Sequence, residues 1–309
     1  MADRQTVLVD DALLRAWPLP MPSDEGDKEE RGRLLVIGGS RQMPGAVILA
    51  ATAAMRAGAG KLAIATGASV AQLVALAIPE SRVIGLSETS AGGVASATAR
   101  ALESLEGRLD AVLIGPGMLD EPVICEFVHA LLPMLDGVNV ILDAAAMGVV
   151  CEAEAASGRG FLGRYNARVL LTPHAGEMAH LSGLSKEEVS EDPEGIARRM
   201  AQRWQATVAL KGPVTHIASP DGRLWKHEGG NVGLAASGSG DTLAGIIVGL
   251  AARGAPLEQA GAWGVALHAR AGDRLAERTG PLGFLTRDLA AEVPSLMHAL
   301  RGQDGGSQR

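Results

Sequence analysis

Residues 231–245, NVGLAASGSGDTLAG, place a glycine- and serine-rich run directly ahead of an apolar segment. Gly238 and Gly240, with the small Ser237 and Ser239, let the chain turn sharply with its N–H groups converging. The following segment, 243–252, reads as a helix that opens near Thr242. Its unpaired N–H groups and the positive end of its dipole then face the same point. That combination draws an anion, most often a phosphate. Asp241 sits at its mouth. A carboxylate repels phosphate, so binding alone is a poor reason for it. A base that takes a proton from a hydroxyl about to receive a phosphoryl group is a better one. The same Gly-Ser-Gly-Asp run would also cap a helix, where Asp is favoured, and on these four residues both readings stand.

Outward from this run, apolar segments alternate with alanine-rich ones. Segments 34–39, 61–66, 82–86, 111–115, 138–144, 168–172 and 206–212 read as strands. Segments 45–58, 92–105 and 123–135 read as helices, the last disturbed by Pro133, and further helices begin at Ala175, near Pro256 and near Arg287. The strands are apolar without alternation, which indicates a parallel sheet covered on both faces. The fold class is therefore α/β, with a mostly parallel sheet between two helical layers. VTHIAS and RLWKH flank Asp221-Gly222, a hairpin signal, so one antiparallel pair is expected toward an edge. Ligands of such sheets lodge beyond the C-terminal strand ends. Every motif below follows a strand, so the motifs are expected to converge. Residues 1–30 read as an arm whose Leu13, Leu14 and Trp17 pack on the body or on another subunit, with regular structure broken between Pro18 and Pro22. Residues 31–301 read as one domain and 302–309 as a disordered tail.

Of the 309 residues, 47% are apolar and 20% charged, an ordinary globular balance. Net charge is −7 and aromatics are 3%. A nucleic-acid partner would need basic patches and stacking platforms, so none is expected. No uncharged run is long enough to span a membrane, and the N-terminus lacks a signal-peptide core. Two cysteines, Cys125 and Cys151, make neither a disulfide framework nor a metal spacing. A cytoplasmic location is expected. His129, His180, His268 and His298 are scattered without metal spacing and read as structural.

The 231–245 string, with Asn231, Gly233, Leu234, Ala235, Gly238, Gly240, Asp241, Leu243, Ala244 and Gly245, resembles the ribokinase-like superfamily, and within it the ADP- or ATP-dependent NAD(P)H-hydrate dehydratases. The likeness runs from about Arg31 to about Leu300 and extends to four other motifs. GGSRQMPGA (38–46) follows the first strand, and the resemblance implies that Ala46 lines the site for the hydrated nicotinamide nucleotide. IGPGM (114–118) is a fixed turn, whose Gly117 the resemblance assigns to the same substrate. LLTPHAGEMAHL (170–181) is similar to the family's Thr-Pro-His-x-Gly-Glu. By resemblance His174 touches substrate, and Glu177 organises Mg²⁺ waters; a surface histidine and a helix-capping glutamate are the alternatives, although Thr172 and Glu177 lack capping-box spacing. LKGPVTHIAS (210–219) resembles a loop that holds adenine-nucleotide phosphates, which assigns Lys211, Gly212, Pro213, Val214 and Thr215 to the nucleotide, together with Asn231, Gly238, Ser239 and Gly240. ILDAAAM (141–147) departs from the family pattern: Asp143 matches its first Asp, but Ala145 stands where a second is usual.

The resemblance implies a lyase that dehydrates hydrated NADH or NADPH. Asp241 is the base, ADP (or ATP) is the phosphoryl donor, Mg²⁺ is required, and phosphate and AMP (or ADP) are released. A homo-oligomer is expected, working alongside a separate epimerase. The rival readings are a small-molecule kinase of the same superfamily, of the hydroxyethylthiazole or hydroxymethylpyrimidine kinase type, and a non-catalytic nucleotide-binding regulator.

Overall fold

A computed structural model describes residues 6–23, 29–105, 107–151, 162 and 168–301; the tail expected at 302–309 lies outside them. Its strands are β1 (Thr6–Leu8), β2 (Arg33–Ile37), β3 (Lys61–Gly67), β4 (Arg82–Leu86), β5 (Ala111–Ile114), β6 (Asn139–Leu142), β7 (Arg168–Leu171), β8 (Thr207–Leu210), β9 (Val214–Ala218) and β10 (Leu224–Glu228). They form one sheet in the order β1-β10-β9-β8-β7-β6-β5-β2-β3-β4. β9 pairs antiparallel with β8 and β10, and the other pairings are parallel. The α-helices are α1 (Asp11–Ala16), α2 (Pro44–Arg56), α3 (Ala71–Ala77), α4 (Glu121–Leu131), α5 (Ala175–Ser182), α6 (Lys186–Glu191), α7 (Pro193–Trp204), α8 (Ser239–Ala252), α9 (Leu257–Thr279) and α10 (Thr286–Leu300).

Successive strand residues point to opposite faces, and here both faces are buried. Leu34 and Val36 of β2 enter a core shared with α2, α8, α9 and α10. Leu35 and Ile37 enter a second core, under α4, α5 and α7. This explains the apolar runs without alternation. No helix among the described residues is long and apolar enough to cross a membrane.

Two expected helices are altered. Over 92–105 only Ser96–Leu105 is helical, and as a 3₁₀ segment. Gly92, at φ +86°, closes a turn in which Thr89 N–H donates to Gly93 C=O at 2.8 Å, and this delays the helix. Around Pro133, α4 stops at Leu131 and tightens to a 3₁₀ turn over Leu132–Met134, because proline brings no N–H to continue the ladder. The N-terminal segment joins the body: β1 pairs with β10, Leu14 is fully buried, and Trp17 stacks on Trp225 with ring centroids 5.6 Å apart.

Helices α2 and α8 approach each other closely. A Cβ placed on Gly245 would lie 2.2 Å from Ala50 O, and one on Gly249 2.5 Å from Ala54 O. Replacing glycine by alanine inside a helix ordinarily stabilises by about 1 kcal/mol. Here Gly245→Ala is expected instead to destabilise by ~1–3 kcal/mol through overpacking, read as a lower urea midpoint with an unchanged m-value.

Candidate active site

The C-terminal ends of β6, β7 and β8 bring three polar groups together. Asp143 follows β6 and is buried, and its carboxylate accepts a hydrogen bond from Thr172 Oγ1 at 2.6 Å just beyond β7. Lys211 N–H donates to Pro173 C=O at 2.8 Å, which ties the exit of β8 to that of β7. The Lys211 ammonium thereby stands 3.6 Å from Asp143 Oδ1 and 3.7 Å from Glu177 Oε2.

Glu177 lies in the first turn of α5, where His174 is the N-cap. The two form a capping box: Glu177 N–H donates to His174 Nδ1 at 3.0 Å, and His174 N–H donates to Glu177 Oε2 at 2.8 Å. The capping partner of Glu177 is thus His174, at the three-residue spacing Thr172 lacks. With Nδ1 accepting, a neutral His174 carries its proton on Nε2. That makes it a donor on the cleft wall, with more than half of its side chain exposed.

The helix after the glycine run begins at Ser239, earlier than the expected Thr242. Gly238 is the N-cap, and its left-handed φ of +86° turns the chain in one residue, so Gly240 and Asp241 already lie in the first helical turn. Ser239 N–H is occupied by Ala236 C=O at 3.2 Å, whereas the N–H groups of Gly240 and Asp241 have no partner among the described residues. A Cβ on Gly240 would lie 3.5 Å from Lys211 Nζ, so the ammonium stands close to Gly240. Burial first, and then the neighbouring Asp143 carboxylate, push the Asp241 carboxyl up to about 7 against the opposing Lys211 ammonium. Ser239 Oγ and His268 Nε2 are 3.0 Å apart.

Of the residues singled out in the sequence, His174, Glu177, Lys211, Gly212, Pro213, Thr215, Asn231, Gly238, Ser239, Gly240 and Asp241 line one cleft of about 820 Å³. Val214, the first residue of β9, is not on its wall. Asn231 is engaged at both ends of its amide: Nδ2 donates to Asp273 Oδ1 at 3.0 Å, and Oδ1 accepts from Gly233 N–H at 2.9 Å. These two bonds fix the orientation of the amide on the cleft wall and leave one N–H and one oxygen lone pair unused.

Ala46 and Gly117 do not line this cleft. They meet each other where the strand order reverses between β2 and β5, the usual ligand crevice of such sheets. A Cβ on Gly117 would lie 2.7 Å from that of Ala46, and Gly39 N–H donates to Pro116 C=O at 2.7 Å. The two regions adjoin: a Cβ on Gly115 would strike Asp143 O at 1.8 Å, and one on Gly238 would meet Leu49 of α2 at 2.5 Å. Ala145, half-buried, lines a smaller cavity of about 390 Å³ with Glu121 and His180, and this cavity shares Ala144, His174 and Glu177 with the large cleft. Sequence reasoning passed over Thr172 and His268. Each acts on a residue of a distant segment, so no local spacing announces it.

A family model described as NAD(P)H-hydrate dehydratase matches residues 34–295. The chain is 46% identical over 289 residues to the ADP-dependent (S)-NAD(P)H-hydrate dehydratase of Xanthomonas campestris, covering 94% of this chain and 95% of that one. It is 38% identical over 291 residues to a bifunctional NAD(P)H-hydrate repair enzyme of Moorella thermoacetica, spanning 93% of its own length but 54% of that relative's. It is similar to the crystal structure of the ADP/ATP-dependent NAD(P)H-hydrate dehydratase of Bacillus subtilis co-crystallised with ATP/Mg²⁺, with a TM-score of 0.82 and 29% identity over 96% of this chain and 99% of the other.

The raised Asp241 pKa has a consequence for stability. The folded state holds this proton up to about 7, whereas an unfolded aspartate releases it near 3.8. Folding therefore takes up a proton between those values, and stability falls as pH rises through that window. Asp241→Asn has no charge to bury. Allowing for solvent at the cleft mouth, it is expected to be more stable than the parent by ~1–2 kcal/mol at pH 8. The gap should close toward pH 4, as read from denaturant unfolding at both pH values.

Proposed function

The chain belongs to the NAD(P)H-hydrate dehydratase family, and from that membership we propose that it uses ADP, or ATP, to return hydrated NADH or NADPH to the reduced dinucleotide. The fold is ribokinase-like. The observation that carries the reading is Asp241: a carboxylate whose pKa lies near 7, in a helical turn with free N–H donors. A base poised near the working pH combines availability with driving force.

In the proposed reaction the hydroxyl of the hydrated ring enters from the Ala46–Gly117 side, and the nucleotide phosphates lie against Lys211 and the turn of α8. Asp241 takes the hydroxyl proton, and the oxygen bonds to the terminal phosphorus. The bond from that phosphorus to the rest of the nucleotide breaks, releasing AMP from ADP. The Gly240 and Asp241 N–H groups and Lys211 stabilise the charge that builds on the phosphoryl oxygens. Loss of phosphate with a neighbouring ring proton restores the double bond. In sum, hydrated dinucleotide and ADP give reduced dinucleotide, AMP and phosphate, with the atoms of water ending in the phosphate.

Among the described residues no group of three or more His, Cys, Asp or Glu is arranged to hold a metal ion by itself. That suits Mg²⁺, which commonly arrives on phosphates and keeps much of its water shell. In this proposal Asp143 and Glu177, both near the Lys211 ammonium, would receive those waters. The ion would neutralise charge on the transferring phosphoryl group.

The test is to incubate the protein with hydrated NADH, Mg²⁺ and ADP or ATP and follow the return of reduced-nicotinamide absorbance. Activity is expected with ADP, with kcat/KM rising as pH passes through about 7, where Asp241 ionises. Asp241→Asn should lower kcat by about 10³-fold or more, because the amide keeps the shape but accepts no proton. A variant that keeps most of its kcat would reduce Asp241 to a helix-end residue.

A further inference from the structure

Ser239 is the first residue of α8, and what it can offer an anion is restricted. Its backbone N–H is spent on Ala236 C=O at 3.2 Å. Only its hydroxyl can reach a phosphate, and that hydroxyl has one proton. Its oxygen lies 3.0 Å from Nε2 of His268. Both side chains are buried, at 6% and 9% exposure, and both line the cleft.

The direction of this hydrogen bond decides the chemistry of the turn. If Nε2 is the lone-pair nitrogen, it takes the Ser239 proton. Ser239 then shows an anion only oxygen lone pairs, which repel it. If Nε2 carries the proton, it donates to Ser239 Oγ, and the Ser239 O–H is free to point into the cleft as a third donor beside the N–H groups of Gly240 and Asp241. We propose that His268 is a positioning residue for the nucleotide phosphates: as the Nε2–H tautomer it donates to Ser239 Oγ and turns the Ser239 hydroxyl proton toward a phosphate oxygen.

Two further observations support this. Burial pushes the His268 imidazole down to about 4, so near neutral pH the ring is uncharged and exists as one tautomer or the other. The pair is also rigidly mounted. His268 is on α9, and one turn earlier a Cβ on Gly264 would lie 2.5 Å from Ile247 Cγ1 of α8, so the two helices are held at close range. The proposal rests on the reading of Ser239 as a phosphate ligand, and the experiment separates the two.

Four enzymes are compared with ADP and Mg²⁺: Ser239→Ala, His268→Leu, the double variant, and His268→Gln, whose amide N–H reaches toward the Nε2 position. Ser239→Ala and His268→Leu are each expected to raise KM for ADP by about tenfold or more, the loss of one hydrogen bond to a charged group. Because His268 acts through Ser239, the double variant should be no worse than either single. His268→Gln should recover most of the loss. Nitrogen-15 shifts of the histidine ring in the ADP-bound protein should report Nε2–H at His268. If Ser239→Ala leaves KM unchanged, Ser239 is not at the phosphates and the proposal falls with that reading. If Ser239→Ala weakens binding but the two losses multiply, or glutamine does no better than leucine, or the ring carries its proton on Nδ1, only the role of His268 is overturned. Should His268→Leu fail to fold, the glutamine variant and the ring tautomer decide alone.

Discussion

The site depends on how closely α8 can approach α2. A helix pair separated by ordinary side chains keeps its axes 8–10 Å apart. Gly245 and Gly249 remove the spacers on one side, and Ala50 and Ala54 keep them small on the other, so backbone meets backbone. Only in that position does the first turn of α8 face the ends of β6 and β8. The helix from Thr242 to Ala252 is buried along its whole length, so little water screens its dipole. The free donors at Gly240 and Asp241 belong to any helix start; that Lys211 Nζ comes close to Gly240 is a consequence of this packing.

The same approach creates an electrostatic imbalance. Asp143, Glu177 and Asp241 surround one ammonium, Lys211, within salt-bridge distance of the first two. Thr172 partly satisfies Asp143 through a 2.6 Å hydrogen bond, and the capping box partly satisfies Glu177. Asp241 has no such partner among the described residues, and it is largely buried and close to Asp143. Its proton affinity rises first because burial penalises the charged form, and second because Asp143 is near. A carboxylate of this kind is a poor structural element and is suited to act as a base, and it lines the large cleft together with Lys211 and the turn of α8.

Much of the architecture was legible because it is written in local patterns. The apolar runs of β2 to β8 lie close to where they were expected, since strands inside the sheet are buried on both faces, β5 at every position, while the edge strand β4 is only partly covered. The Asp221-Gly222 turn produced its hairpin. The 92–105 segment misled because its alanine content suggests α-helix, whereas the Gly92–Gly93 turn, stabilised by its packing, takes the first residues. The N-terminal arm was ambiguous in sequence, and burial of Leu14 with stacking of Trp17 on Trp225 makes it part of the body.

For the site, the amino-acid sequence determined the unpaired donors and the acid beside them: a glycine able to adopt positive φ at 238, small residues around it, and Asp241, all within one turn. It also determined that Lys211 and His174 follow strand ends. Tertiary structure decided what those groups do to one another. That Asn231 is fixed by Gly233 and Asp273, that Ala46 meets Gly117 away from the Gly238–Asp241 turn, that Glu177 pairs with His174, and that Ser239 meets His268 depend on how each group meets its partner in space. Most of these partners come from distant segments. Local spacing encodes backbone conformation and residue chemistry, but a hydrogen bond between two helices depends on their packing register, and that exists only once the chain has folded.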